Sequence, residues 1–277
     1  MATPNVVSVS EQGKHFRALG GFVTTKSHSS VIWRGLYRRA SEGSCRATLD
    51  EMTLIVAHRG ASKAFRENTL DAFRGAAELG ADWVELDVRR TRCGSIVVHH
   101  DAELEDGRLI KDLEVDQLPD HVATLEDVID VCGEMGVDIE IKNDSADADF
   151  DPEHLMVPRI VEIARAQLAR DKVLVTSFDM GAINAVHDID PNMPTGLLTD
   201  DDVGHEVSIG RAAAHDHSAV NPSDEIVTPR WVRAAHEAGL AVYVWTVDDP
   251  RRITQLAAME VDGIITNVPD VARKALG

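Results

Sequence analysis

No stretch of about 18 consecutive apolar residues occurs in this chain, which excludes a transmembrane helix of ordinary length. The first 30 residues also lack a hydrophobic signal core flanked by charge, which argues against secretion by that route. Cysteine is scarce. Cys45, Cys93 and Cys132 have neither metal-ligand spacing nor the even count of a disulfide frame, so a reducing, cytoplasmic compartment is the plain reading. Positive charge is scarce too: 28 Lys and Arg stand against 47 Asp and Glu, a net −19. That balance disfavours nucleic acid and anionic membrane as partners, because both need positive surface. No stable membrane association is therefore expected.

The charge is unevenly placed. Residues 1–51 carry seven basic and four acidic side chains, a net +3, so the other 226 residues hold −22. Such an acidic body repels itself in dilute buffer and is better tolerated in salt, which points to a salt-adapted host. Residues 1–51 are rich in Ser, Arg and Gly and show no sustained periodicity. The composition breaks at Met52, so this segment reads as an early start codon ahead of a native Met52. A disordered or partner-binding extension is the second reading and a targeting peptide the third.

From Met52 onward, strand and helix patterns alternate. Strands are expected near 53–57, 82–88, 95–100, 137–142, 172–177, 194–198, 218–221, 241–246 and 262–266. Helices are expected near 69–79, 124–135, 153–169, 179–187, 203–214, 228–238, 250–259 and 269–276. Asn68-Thr69 and Thr124-Leu125-Glu126-Asp127 read as N-caps, and Gly80, Gly136 and Gly239 as left-handed residues after helix ends. The alternation means a (β/α) barrel or a doubly wound sheet. Nine strands are one too many for the barrel. Only Arg89 to Ser95 separates the second and third, which is too short for a parallel crossover, so the two form a hairpin. Folding about Arg92-Cys93 is expected to set Glu85 opposite His100. Eight parallel strands remain, an α/β (β/α)8 TIM barrel over residues 52–277, with a short hairpin extension at its mouth after strand 2.

The strand 82–88 places carboxylates among apolar residues. Trp83, Glu85 and Asp87 share one face and Val84, Leu86 and Val88 the other. Two acids on one face repel each other and lose hydration when buried, unless a cation removes both costs. Glu140 and Lys142 repeat the pattern between Ile139 and Ile141. In such barrels function sits at the strand ends, where Glu85, Asp87 and Glu140 converge. An all-oxygen set suits Mg²⁺ or Ca²⁺ better than zinc. Each residue also has a plainer explanation. Lys142 can neutralise Glu140 without any metal, His58 can be a bonded turn histidine, and Trp245 can be rim packing. His99 reads as a structural neighbour of His100, and Asp101 as the orienter of a loop or a histidine. What those explanations leave over is the clustering at strand ends.

Seven segments in order resemble the signature of the glycerophosphodiester phosphodiesterase family. They are His58-Arg59-Gly60, Glu67-Asn68-Thr69, Glu85-Leu86-Asp87, His100-Asp101, Ile139-Glu140-Ile141-Lys142, Val244-Trp245-Thr246-Val247 and Asp262-Gly263-Ile264-Ile265-Thr266. The resemblance covers residues 53–277 and none of 1–51. It implies hydrolysis of glycerophosphodiesters to glycerol phosphate and an alcohol such as choline or ethanolamine. It also implies one divalent cation, Mg²⁺ or Ca²⁺, on Glu85, Asp87 and Glu140, and an acid/base pair in His58 and His100. Arg59 and Lys142 are then phosphate-holding residues, Glu67 an orienter of Arg59 or a substrate hydroxyl, and Trp245 a wall against the glycerol. Asn267 and Cys93 depart from the family pattern, which commonly has Asp at both. Rival readings are a phospholipase-D-like or phosphatidylinositol-cleaving relative, a non-catalytic phosphate- or metal-binding barrel, and an unrelated barrel with structural charge pairs.

Overall fold

In the computed structural model, which describes residues 53–200 and 205–277, the strands are β1 (Leu54–His58), β2 (Trp83–Arg90), β3 (Ile96–Val98), β4 (Gly136–Ile141), β5 (Val173–Ser177), β6 (Thr195–Thr199), β7 (Ala219–Pro222), β8 (Ala241–Val244) and β9 (Gly263–Thr266). The helices are α1 (Leu70–Glu78), α2 (Leu125–Cys132), α3 (Val157–Gln167), α4 (Met180–Ile189), α5 (His205–Ala214), α6 (Pro229–Glu237), α7 (Pro250–Ala257) and α8 (Pro269–Leu276). The expectations for residues 1–51, including Cys45 and the start at Met52, lie outside the described residues. Among the described residues no helix is long and apolar enough to cross a membrane.

Every ladder is parallel except β2 with β3, and β1 pairs with both β9 and β2, so eight strands close into a (β/α)8 barrel with β3 as the extra antiparallel ribbon. The caps are local chemistry. Thr69 and Thr124 accept from the amides of Ala72 and Asp127, and α6, α7 and α8 each begin with Pro229, Pro250 or Pro269 in the first turn. Helix α3 starts later than residue 153, at Val157, because the Asp151 carboxylate takes the amides of Glu153 and Leu155 and His154 turns through φ 53°.

Two details differ from the expectation. Val88 pairs with Val98 and Arg89 with Val97, so the hairpin register is one residue away from setting Glu85 opposite His100. The added residue sits in the turn, where the Thr91 amide bonds Ser95 and the Gly94 amide bonds Thr91. Gly136 is no helix terminator either. Gly133 takes the positive-φ position after α2, and Gly136 opens β4. A Cβ on Gly136 would lie 2.0 Å from the Trp83 ring, its register partner on β2. Gly263 makes the same room for Tyr243. These two large rings, with Val56, Leu174 and Ile265, fill the inside of the barrel, while Val84, Leu86, Val88, Ile139 and Ile141 face outward to the helices. That packing forms a floor above which the inward strand ends can be polar.

Candidate active site

Parallel register sets the acids. Glu85 pairs with Asp138, and Asp87 with Glu140, so carboxylates from adjacent staves stand side by side at the strands' C-terminal ends. Glu85, Asp87 and Glu140 are all buried, and each offers an oxygen within 4.8 Å of the others. Glu85 Oε1 has no hydrogen-bond partner among the described residues, and Glu85 Oε2 accepts from the Arg59 amide at 2.9 Å. Burial, then the neighbouring Asp87 and Glu140 charges, push the Glu85 carboxyl well up. Burial, then the Asp87 charge, raises Glu140 to about 7, opposed by Lys142. Burial also works against charge on Asp87, but Lys142, Arg59, His100 and the Asn68 amide together hold it below its ordinary value.

Two cations answer the acids. Lys142 Nζ lies 2.6 Å from Glu140 Oε1 and 3.0 Å from Asp87 Oδ1, the second contact being a charge pairing outside hydrogen-bond alignment. Arg59 Nη1 donates to Glu67 at 2.9 Å, while its Nε sits 3.2 Å from Asp87 Oδ2, again off alignment. Glu67 is therefore in contact with Arg59, one of the two partners that the resemblance implied for it. The Arg59-Gly60 turn is left-handed at both residues (φ 56° and 78°), and a Cβ on Gly60 would fall 2.6 Å from the Ala72 backbone. That turn folds the Arg59 amide back toward Glu85. Lys142 thus pairs with Glu140 in the way the plain reading allowed. Glu85 Oε1 is left as an orphaned buried oxygen, and the three acids, once all ionised, exceed the two cations by one charge, a donor set that can hold a hard divalent cation.

The histidines flank this cluster. His58 Nδ1 is 2.7 Å from Asn267 Oδ1, and its Nε2 is 3.9 Å from Glu85 Oε2. Burial and the Arg59 charge hold its pKa below the usual imidazole value, against the Asn267 bond. His100 Nδ1 is 2.7 Å from Asp101 Oδ1, so Asp101 orients it. Burial lowers its pKa too, with Lys142 and Arg59 assisting and Asp87 and Asp101 opposing. His99 turns aside to the Asp101 carbonyl, as expected of a structural neighbour. Trp245 donates from Nε1 to the Asn221 carbonyl at 2.7 Å and meets Phe178 edge-on, centroids 5.6 Å apart. A cleft of about 910 Å³ opens past Glu140, Lys142 and His100 and runs out along the ribbon by His99, Glu105 and His121. His58 does not line it.

Several working side chains escaped the sequence reading. Asn68, taken as a helix opener, donates to Asp87 Oδ2 at 2.7 Å. Asn267, noted only as a departure from the family pattern, touches His58 directly. Its place after β9, the neighbour of β1, was the available signal. Arg89 and Phe178 lie at strand ends but carry no pattern that marks them.

This barrel mouth gathers buried carboxylates, two cations and two imidazoles held by hydrogen bonds, the kinds of group that phosphate-ester cleavage calls for. Residues 58–271 match the glycerophosphoryl diester phosphodiesterase family. The chain belongs to that family and is an enzyme of its kind, a phosphoric diester hydrolase. It is 33% identical over 249 residues to the probable glycerophosphodiester phosphodiesterase 2 of Mycobacterium tuberculosis, covering 80% of this chain and 90% of that one. With the glycerophosphodiester phosphodiesterase of Caldanaerobacter subterraneus it shares 28% identity over 242 residues, 79% and 95% of the two chains. The crystal structure of the Thermotoga maritima glycerophosphodiester phosphodiesterase superposes with a TM-score of 0.69 at 26% identity, covering 80% of this chain and 97% of that one. An Oleispira antarctica phosphodiesterase, solved in complex with the product sn-glycerol-3-phosphate, shares the fold at TM-score 0.73 and 23% identity, over 81% and 96% of the chains.

Proposed function

We propose that the chain hydrolyses soluble glycerophosphodiesters with a divalent cation on Glu85, Asp87 and Glu140 and with His58 and His100 as base and acid. The observation that carries this reading is the site's division. Three mutually close buried acids sit between a histidine held by a neutral amide and one held by a carboxylate. A phosphodiester is an anion that repels nucleophiles. Arg59 and Lys142 pair with its non-bridging oxygens. Mg²⁺ or Ca²⁺ on the three acids supplies further neutralisation of the charge that develops as the ester bond breaks.

His58 is suited to the base role. Its low pKa keeps it neutral, and the amide on Nδ1 leaves Nε2 as the basic atom. It takes the proton from the attacking hydroxyl, either of water, which gives glycerol phosphate directly, or of the glycerol 2-position, which gives a cyclic phosphate that water then opens. His100 carries a carboxylate on Nδ1, which favours the protonated ring. The bound phosphate offsets the two cations that lower its pKa. It gives its proton to the departing alkoxide. The cleft beyond His100 is wide enough for varied leaving alcohols, while Trp245 and Phe178 offer a smaller apolar wall for the glycerol carbons. The Oleispira product complex supports sn-glycerol-3-phosphate as the product here.

Release of glycerol phosphate from glycerophosphocholine tests the reading. His58→Ala and His100→Ala are each expected to lower kcat by about 10²–10⁴-fold, and a chelator to abolish turnover until Mg²⁺ or Ca²⁺ is restored. Full turnover in either variant, or after exhaustive chelation, sinks it. A lysolipid arm in the same assay separates soluble diesters from an interfacial substrate.

A further inference from the structure

Arg89 lies two residues beyond Asp87, so the inward stripe of Trp83, Glu85 and Asp87 continues to a cation at the barrel mouth. Its side chain is only 3% exposed, yet it makes no contact with the three acids. Nε and Nη2 both donate to the carbonyl oxygen of His100, at 3.0 and 2.7 Å. Nη1 donates to Asp149 Oδ1 at 2.6 Å, and Nη2 lies 2.8 Å from Asp147 Oδ2. Between those acids, the Ala148 carbonyl accepts from Lys111. One planar group therefore ties together strand β2, the end of the return ribbon and the loop between β4 and α3.

The chemistry requires Arg at this point. A guanidinium presents its donors in a fixed fork, so one edge can chelate a carbonyl while the other meets carboxylates. Burying that charge is tolerable because Asp147 and Asp149 face it. With its donors committed this way, Arg89 has little left for a substrate. The atom it chelates, however, is the backbone oxygen of His100, at the point where the ribbon ladder has ended at Val98. Past Val98 the His99 amide still bonds Asp87, and the His100 carbonyl is held by the two Arg89 bonds.

We infer that Arg89 is a positioning residue: it fixes the His100 main chain against the β4–α3 loop and so aims the imidazole at the scissile ester. The inference rests on the reading of His100 as the proton donor, and the two fail in different ways. The test is a double-mutant cycle on glycerophosphocholine hydrolysis. Arg89→Gln is expected to lower kcat by about tenfold to a hundredfold, with KM changed less than about threefold. Arg89→Lys recovers part of the loss, since an ammonium reaches the carbonyl or the acids but not both edges. In a His100→Ala background, Arg89→Gln is expected to cost less than about threefold, because the group it aims is gone.

Equal losses in both backgrounds, or a loss confined to KM, overturn the positioning role and leave His100 as the acid. Unchanged turnover in His100→Ala overturns both. If the unfolding midpoint shows that Arg89→Gln does not fold, Asp149→Asn takes its place in the cycle. That change loosens the same fork, with a smaller expected loss of about threefold to tenfold, and equal losses in both backgrounds again overturn the inference.

Discussion

Asn267 Oδ1 accepts from two donors at once, the His58 Nδ1–H at 2.7 Å and the Ser62 hydroxyl at 2.9 Å. The amide cannot flip, because its Nδ2 donates to Asp248 Oδ2 and its own backbone amide to Asp248 Oδ1, both at 2.9 Å. An oxygen that only accepts fixes the proton on His58 Nδ1 and leaves Nε2 bare. Asn267→Ala is therefore expected to lower kcat by about tenfold or more with little change in KM, because the wrong tautomer becomes available. Asn267→Asp places a carboxylate on His58, and the acid limb of the pH–rate profile is expected to move to higher pH. Equal activity and an unmoved profile in both variants would remove Asn267 from the mechanism.

The barrel floor makes a packing prediction. The Gly136 position is filled by the Trp83 ring, with an added Cβ only 2.0 Å from Cε2 and 2.1 Å from Cδ2. Gly136→Ala is expected to destabilise by about 1–3 kcal/mol, read as a lowered denaturant midpoint at constant slope. Pairing it with Trp83→Leu is expected to cost less than the two single changes summed. Strict additivity would mean that the ring and the glycine do not share the space.

Acid stability is expected to depend on His217. This ring is 5% exposed, with Nδ1 2.8 Å from the Thr195 hydroxyl and the rings of His187 and His215 beside it. Burial first, then the two neighbouring imidazoles, bring its pKa down to about 4. A histidine that resists protonation in the folded state lets the unfolded chain bind more protons between about pH 6.5 and 4. Its stabilising contribution is full above that window and is lost as pH falls through it. His217→Asn is expected to reduce the acid-side fall in unfolding free energy by about 1–2 kcal/mol across the window, less than full linkage because the imidazole cluster stays partly solvated. A wild-type acid limb retained in the variant would assign that limb elsewhere.

Strand and helix order was legible because period-two and period-3.6 apolar patterns persist through β1 to α8, and because the short gap between the second and third strands, Thr91 to Ser95 in the structure, admits only a hairpin. The acids were legible for the same reason: Glu85, Asp87 and Glu140 interrupt otherwise apolar strands. What stayed hidden needs a partner from elsewhere in the chain. Asn68 reads locally as a cap and Asn267 only as a strand-end departure from the family pattern, and only barrel closure sets them against Asp87 and His58. Gly136 has the same local look as Gly80, yet one admits a ring and the other turns a helix end. Ribbon register is likewise invisible, since a single turn residue decides which carboxylate meets which imidazole peptide.

The same buried charge that makes the mouth reactive should destabilise the metal-free protein in alkali. Asp138 lies beneath the three acids, accepting from Thr176 Oγ1 at 2.7 Å, and burial, against that bond, raises its pKa to about 8. A carboxyl with a raised folded pKa binds its proton more tightly in the folded than in the unfolded chain. Its contribution is full below the ordinary carboxylate range and declines as pH rises to about 8. Glu140, raised to about 7, acts in the same direction. In chelator, the unfolding midpoint is expected to fall by about 3 °C per pH unit between pH 6.5 and 8, above the window in which His217 acts in the opposite direction. Asp138→Asn keeps the neutral shape and is expected to flatten that slope. A divalent cation on Glu85, Asp87 and Glu140 opposes the loss, so Mg²⁺ or Ca²⁺ is expected to raise the midpoint more at pH 8 than at pH 5.5, and Glu140→Gln to abolish most of the rise. A midpoint indifferent to cation at both pH values would mean that Lys142 and Arg59 alone neutralise the cluster.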